Sequence, residues 1–338
     1  MKTFRFSLVA LIATALFTAC TNDAVLEPVS KSGAAEISFR LQGGTPETRA
    51  LATTGDNIEA LVVYGTDNVT RAAGVNIFDG ITVARQKDNT FSYNPKKYYS
   101  VGATTADFFA YSPVSANISS LTNATPLLTN ASFDYEVKAP DATGNIAQED
   151  LLVVGKRVAP STTAVSLLFE HALSRVFVKA INELDETVVI TGLALKNAYS
   201  TGTITGTPAA TWAWVWSNHD DKREYKYELA PSGVAVRSGS AATLVTSMEQ
   251  GMMLLPQETL NAGDDDVWNT NDFALEVTYD AGNIFGATAY VLLEDGFEFE
   301  AGKQYSITIK FSGDDLIEIE FDIDVDPFGT PIEEVIYP

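Results

Sequence analysis

Ile317-Glu318-Ile319-Glu320-Phe321-Asp322-Ile323-Asp324-Val325 alternates apolar and acidic residues without a break. Successive side chains of a strand point to opposite faces, so the stretch carries one apolar and one acidic face. Shorter versions of the same period lie throughout the chain: Ile37-Ser38-Phe39-Arg40-Leu41, Phe91-Ser92-Tyr93, Val176-Phe177-Val178, Tyr225-Lys226-Tyr227 and Tyr305-Ser306-Ile307-Thr308-Ile309. Ile58–Tyr64 follows it in part. Clusters of Gly, Asn, Asp, Ser and Thr separate these runs at short intervals, as in sandwiches and barrels. No segment keeps a helical period for three turns. The nearest is Val165–Val178, where Leu167, Leu168, His171 and Ala172 could share a face before Val176–Ala180 reverts to a strand pattern. The chain therefore reads as all-β, with two sandwiches in series. A Pro/Ser/Thr break at Arg157–Thr163 separates the strand-rich halves.

The N-terminus has a different character. Lys2 and Arg5 precede an uncharged stretch from Phe6 to Ala19, too short to span a membrane as a helix. Residues 1–19 thus read as a secretory signal peptide. Cys20 is the single cysteine of the 338 residues and follows Leu16-Phe17-Thr18-Ala19. That string resembles the lipobox of bacterial lipoproteins, with Phe17 where Leu is usual, and implies that the thiol receives a diacylglycerol. Ordinary cleavage near Ala19, leaving a free thiol, is the other reading. Acyl chains at Cys20 would bury enough methylenes for stable anchoring. With that thiol used no intramolecular disulfide can form, and stability rests on packing. Residues 21–35 are small and polar, as in a tether.

The formal net charge is -22, and removing residues 1–19 takes away two of the cations. Such a surface repels nucleic acid and anionic lipid, so neither is an expected partner. Enzymatic chemistry finds little support. Of the two histidines, His171 reads as a satisfied, partly buried residue, and His219, in Ser217-Asn218-His219-Asp220-Asp221, as a solvated turn. Neither accompanies a Gly-x-Ser-x-Gly elbow, and the ligands of a structural zinc site are lacking. No catalytic residue, metal or cofactor is expected. Asp264-Asp265-Asp266 and the trio Asp322, Asp324, Asp326 invite a calcium reading, but Pro327 stands where an EF-hand loop requires Gly, which favours a solvated acidic edge. Trp212, Trp214 and Trp216 alternate and would share one face of a strand. They form either a glycan-stacking, ligand-binding platform or the cover of the second core, and packing is the preferred reading.

Several strings, in order, resemble the fimbrillin family, the type V pilus subunits that Gram-negative anaerobes secrete as lipoprotein precursors. They are Asp107-Phe108-Phe109-Ala110-Tyr111-Ser112-Pro113 after Tyr98-Tyr99, Phe169-Glu170-His171-Ala172-Leu173-Ser174-Arg175-Val176, Leu193-Ala194-Leu195-Lys196-Asn197, Met253-Leu254-Leu255-Pro256-Gln257 and Gly302-Lys303-Gln304-Tyr305. The resemblance implies two transthyretin-like β-sandwich domains, 50–160 and 161–338, behind a lipidated propeptide, 20–49, that contains the first strand.

The resemblance also implies maturation by an arginine-specific protease. Glu47-Thr48-Arg49-Ala50 follows strand 36–41 and a Gly43-Gly44-Thr45-Pro46 turn, and cleavage of Arg49–Ala50 would release the lipidated segment. A strand from the next subunit would then fill the vacated groove. Two C-terminal donors are open, 317–325 and 331–338, the latter with Val335-Ile336-Tyr337. The implied partners are other fimbrial subunits, the protease and, before cleavage, the outer membrane. The implied product is a surface fimbrium supporting adhesion. A pilus tip or anchor subunit, acting as a tethered glycan- or protein-binding adhesin, is the alternative.

Overall fold

Strands built on the period-two runs make up nearly all of the regular structure. The computed structural model describes residues 34–41, 58–87, 90–116, 118–122, 131–138, 148–210, 212–246, 251–260, 268–293, 295–313 and 318–327. In chain order the strands begin with β1 (Phe39–Leu41), β2 (Ala60–Asp67), β3 (Phe78–Arg85), β4 (Phe91–Ser92), β5 (Ala106–Ser112), β6 (Ile118–Thr122) and β7 (Ala131–Glu136). Next come β8 (Leu152–Val158), β9 (Val165–Leu167), β10 (Glu170–His171), β11 (Ser174–Asn182), β12 (Val188–Thr207), β13 (Ala213–Tyr227) and β14 (Val234–Val236). The last are β15 (Thr243–Leu244), β16 (Met252–Leu254), β17 (Gln257–Glu258), β18 (Ala274–Ala281), β19 (Ile284–Leu292), β20 (Glu298–Phe299), β21 (Lys303–Ser312) and β22 (Glu318–Pro327). One short helix, α1 (Asn68–Ala72), follows β2.

The strands form three larger sheets, ordered β10-β8-β5-β2-β3-β4, β15-β11-β21-β22 with β16 also on β11, and β19-β18-β12-β7-β6 with β13 and β14 also on β12. Two pairs, β1-β9 and β17-β20, stand beside them. β1 on β9 and β11 on β21 are parallel. β6 and β7 precede the Arg157–Thr163 break yet pair into the sheet of β12. β12 serves several neighbours along its length. Its register shifts at Leu195/Ala198, where Asn197 takes a positive φ of 58°, a conformation an Asn tolerates better than most residues.

Buried apolar side chains form two cores. The first gathers Ile37, Phe39, Phe78, Tyr93 and Val165 with Ala106, Phe108 and Ala110 of β5 and Leu152 and Val154 of β8. The second takes the intervening Phe109 and Val153, together with Phe133, Val176, Leu195, Trp212 and Ile307 among others. β5 and β8 are therefore covered on both faces. This explains why Phe108-Phe109-Ala110 and Leu151-Leu152-Val153-Val154 read as unbroken apolar runs rather than as alternation.

Two sequence expectations need correction. The helical reading of Val165–Val178 gives way to β9, β10 and the start of β11, because Leu167 is buried in the first core while Ala172 and Val176 lie in the second. His219 is not in a solvated turn. It lies within β13, where Asn218 and Asp221 at positive φ make an irregularity rather than a chain reversal. The ring is half-buried, 5.6 Å from that of Tyr199.

The helix α1 gave no periodic signal because five residues carry none. It forms because Asp67 caps it: the carboxylate accepts from the amides of Val69 (3.0 Å) and Thr70 (2.7 Å), and Thr70 Oγ1 accepts from the Asp67 amide. The other Asp67 oxygen accepts from the Ser100 amide, tying loop 100–105 to the cap. Burial pushes this carboxyl up, but the hydrogen bonds outweigh it and hold the group below its usual value. Its contribution to stability is thus full above about 3.8 and is lost only as pH falls through the lower folded value.

Candidate functional site

The segment Ala35–Leu41 occupies a slot in the first core. Ala35, Ile37, Phe39 and Leu41 face inward, with Ile37 and Phe39 fully packed, while Glu36 and Arg40 face solvent. On one side the Ile37 amide donates to the Lys97 carbonyl (2.9 Å) and the Tyr99 amide to the Ala35 carbonyl (3.1 Å). On the other, the Val165 amide donates to Ser38 O (2.8 Å), and Phe39, Arg40 and Leu41 run parallel to Val165, Ser166 and Leu167. Tyr93 Oη donates to the Ile37 carbonyl. The ring of Phe39 sits edge-on to Phe78 (5.3 Å) and Phe108 (5.4 Å) and 6.2 Å from Tyr93. Each such buried apolar side chain stabilises the docked segment by about 1.5–3 kcal/mol. The Lys96–Glu36 pair at its rim is half exposed and contributes little.

Beside this slot, β5 carries a fully buried carboxylate. Asp107 accepts from Arg157 Nε (2.7 Å) and Nη2 (3.1 Å) and from Arg71 Nη2, which joins α1 to β8. Three of the four motif strings from the second half of the chain meet in one place. Ser174-Arg175-Val176 pairs antiparallel with Met252–Leu254, and Arg175-Val176 pairs parallel with Gln304-Tyr305. Gln148 closes the arrangement, its side-chain amide bonded to both the amide and the carbonyl of Met253 (2.8 Å each). Arg175 is fully buried at this junction, 4.5 Å over the Phe177 ring. Burial pushes its guanidinium down to about 10, against the opposing pull of Asp150. Asp150 also bonds His171 Nδ1 (2.8 Å), so His171 is partnered and partly buried.

The tryptophan stripe faces inward. Trp212 is 3% exposed, while Trp214 and Trp216 are half-buried against the second core, with Ala213, Val215 and Ser217 on the solvent side. Trp212 stacks on Phe109, and Trp216 Nε1 donates to the Ala172 carbonyl (2.7 Å). Packing takes up the Trp212 ring, while Trp214 and Trp216 keep part of their surface exposed. Gly155, paired with Phe109 across β5–β8, makes room for this indole: a Cβ there would lie 2.0 Å from the Trp212 ring. Gly155→Ala should cost about 1–3 kcal/mol through overpacking. Urea titration of this variant, with Trp212→Leu as partial rescue, checks the prediction; equal stability of wild type and Gly155→Ala would refute it.

His219 offers a pH handle on the same sheet. Burial holds its imidazole below 6.5, and a hydrogen bond to the Pro256 backbone pulls the other way without cancelling the effect. The unfolded chain therefore takes up this proton first, so the contribution is full above about 6.5 and declines as pH falls below it. Thermal melts at stepwise lower pH should show wild type losing stability faster than His219→Gln in that window. Parallel curves would exclude the effect.

The chain matches a family model described as fimbrillin-like over residues 48–324. It belongs to the fimbrillin-like family. This fimbrillin-like chain resembles a fimbrial protein from Bacteroides vulgatus with a TM-score of 0.59 at 15% identity, covering 87% of this chain and 99% of that one. A candidate cell adhesion protein from Bacteroides uniformis aligns at 0.52 and 15% identity, covering 87% and 99%. Another from Bacteroides ovatus aligns at 0.51 and 13% identity, covering 87% and 97%. These structural likenesses extend to the fold. No curated protein matches the chain in sequence.

Of the residues singled out in the sequence, Cys20, Arg49, Ala50, Asp264–Asp266 and the tail 331–338 of the fimbrillin-like chain lie outside the described residues. The other donor candidate is described as β22. It pairs antiparallel with β21 along its whole length, from Glu318 opposite Ser312 to Pro327 opposite Lys303. Sequence reasoning missed the Asp107–Arg71–Arg157 cluster, since its members are distant in the chain and carry no spacing signature.

Proposed function

We propose that the protein is a structural, non-catalytic fimbrial subunit, exported as a lipoprotein precursor and built into a cell-surface appendage by strand exchange. In this reading Cys20 carries the lipid that holds the precursor at the outer membrane. An arginine-specific protease cuts Arg49–Ala50, and the propeptide leaves with β1. The two sandwiches, transthyretin-like in this reading, remain. The observation that carries the proposal is the slot itself. A short segment N-terminal to Arg49 supplies Ile37 and Phe39 to the first core and is held by few backbone hydrogen bonds. A strand with the same inward alternation from another subunit can replace those groups and the ladder. The family match begins at residue 48, next to the proposed cut and beyond β1, which supports treating β1 as a separable piece.

The lengthwise pairing of β22 with β21 favours the tail 331–338 as the exported donor, since β22 already has a partner in its own chain. Arg49→Ala should block both cleavage and assembly while leaving the melting temperature of the precursor unchanged. Gel ladders after treatment with an arginine-specific protease provide the readout. Clean cleavage at Arg49 that leaves only monomers would refute the assembly step.

A further inference from the structure

We propose that the outer face of β13, β12, β18 and β19 carries a carbohydrate-binding platform for a neutral pyranose, built on Trp268 and Tyr290. Trp212, Trp214 and Trp216 lie against the second core. Trp268, the fourth tryptophan of the chain, belongs to neither core, and nor does Tyr290 of β19. The two rings stack on each other instead, with centroids 3.8 Å apart and planes 9° from parallel. Both are half-buried, so each keeps part of its surface in water. Packing of the cores does not account for this pair.

Its position is held from below. The Asn197 side-chain amide donates to the carbonyls of Thr270 (2.9 Å) and Asp272 (2.7 Å), and the buried Asp272 carboxylate accepts from the Asn269 amide (2.7 Å). Asn197 reaches this loop from the register shift at Leu195/Ala198, where it takes its positive φ; such irregularities re-aim side chains. Leu193-Ala194-Leu195-Lys196-Asn197 is the motif string that stays away from the junction of β11, β16 and β21, and its last residue serves the Trp268 loop.

The lysine of that string serves the same face. Leu195, Tyr225, Leu275 and Val291 point into the second core, so Lys196, Glu224, Glu276 and Tyr290 share the opposite side. Lys196 Nζ lies 3.0 Å from Glu224 and 3.4 Å from Glu276, and Lys226 Nζ lies 3.3 Å from Glu224. The Tyr290 hydroxyl donates to the Glu276 carboxylate. A polar row thus crosses four strands and ends at the aromatic pair.

The chemistry of the row selects the ligand. Two ammonium groups balance two carboxylates, so the face offers a charged ligand no net attraction. The net charge of -22 on the chain repels anionic glycans. Ammonium groups only donate hydrogen bonds and carboxylates only accept them, whereas a sugar hydroxyl does both and can bridge neighbours in the row. The C–H face of a pyranose packs on the electron-rich face of an aromatic ring. A neutral sugar uses both halves of the platform at once. Such binding needs neither cleavage at Arg49 nor strand exchange.

The test uses the full chain labelled with fluorotryptophan, so that each indole reports separately by fluorine NMR. Lactose, mannotriose and cellotriose are the neutral probes, and sialyllactose is the anionic one. At least one neutral sugar should shift the Trp268 resonance saturably while those of Trp212, Trp214 and Trp216 stay in place. Sialyllactose should bind no more tightly than lactose. Trp268→Ala should abolish binding, Trp268→Phe should retain part of it, and Glu276→Ala should weaken it about tenfold, the loss of one hydrogen bond to a charged group. Trp268 and Glu276 lie outside both cores, so the melting temperatures should stay close to that of wild type. No saturable shift at Trp268 with any neutral sugar, a shift confined to Trp214 or Trp216, full binding by Trp268→Ala, or a preference for sialyllactose would overturn the proposal. Self-association of the chain that Trp268→Ala removes, with no response to sugar, would assign the face to a protein partner and overturn it too.

Discussion

Phe39→Ala is expected to unseat β1, weakening its hold on the first core by about 3–5 kcal/mol, the usual cost of truncating a packed phenylalanine. The segment has few ways to compensate. β1 has only three ladder residues, and the main remaining anchors of its segment are Ala35, Ile37, Leu41 and the hydrogen bonds to Lys97, Tyr99, Tyr93 and Val165. The phenyl ring contacts three aromatic neighbours, so its removal leaves a cavity walled by Phe78, Tyr93 and Phe108, residues fixed by their own strands. The loss should be local, because the segment can detach while β5 and β8 stay packed on the second core as well. Hydrogen exchange should therefore quicken sharply at the Ile37 amide and little at Phe108 or Val154. Under the proposed maturation, the cut propeptide should also leave faster. Unchanged protection at Ile37 would show that the side chain does not hold the segment.

Asp107→Ala should destabilise the whole fold by about 3–5 kcal/mol, since removing one partner of a buried ion pair leaves the rest uncompensated. Asp107 is 0% exposed and receives Arg157 through two nitrogens and Arg71 through one. The side chains of Arg71 and Arg157 are 23% and 39% exposed, so both can turn toward water, which places the expected loss near the lower bound. Asp107→Asn keeps the shape but not the charge and should fall between. Chemical denaturation of the three proteins measures the series. A loss below about 1 kcal/mol for Asp107→Ala would mean the cluster is only a surface-grade contact.

The first of these residues was legible in the sequence and the second was not. Phe39 stands in an alternating run, so its inward direction follows from strand geometry alone. Its partner β9 does not, because a parallel neighbour so far along the chain leaves no local signature. Asp107 sits in an apolar run that gives no hint of Arg71 or Arg157. The tryptophans fall between the two cases: their shared face follows from spacing, but burial depends on what lies beneath it. Gly155 and Phe109, on other strands, make the seat for Trp212. His219 reads as a turn because its polar neighbours resemble one, whereas Tyr199 of β12 and the Pro256 backbone, between β16 and β17, lie against the ring.

By itself the sequence determined that the chain folds as strands, where most of them run, and which side of each alternating run is apolar. Those properties follow from side-chain period and turn chemistry, which act over a few residues. Only the tertiary structure decided that β5 and β8 are covered on both faces, that β1 lies between Lys97–Tyr99 and β9, and that Trp268 and Tyr290 stack outside both cores. Each depends on which distant strands come together, and a period-two pattern specifies a face but not the partner laid against it.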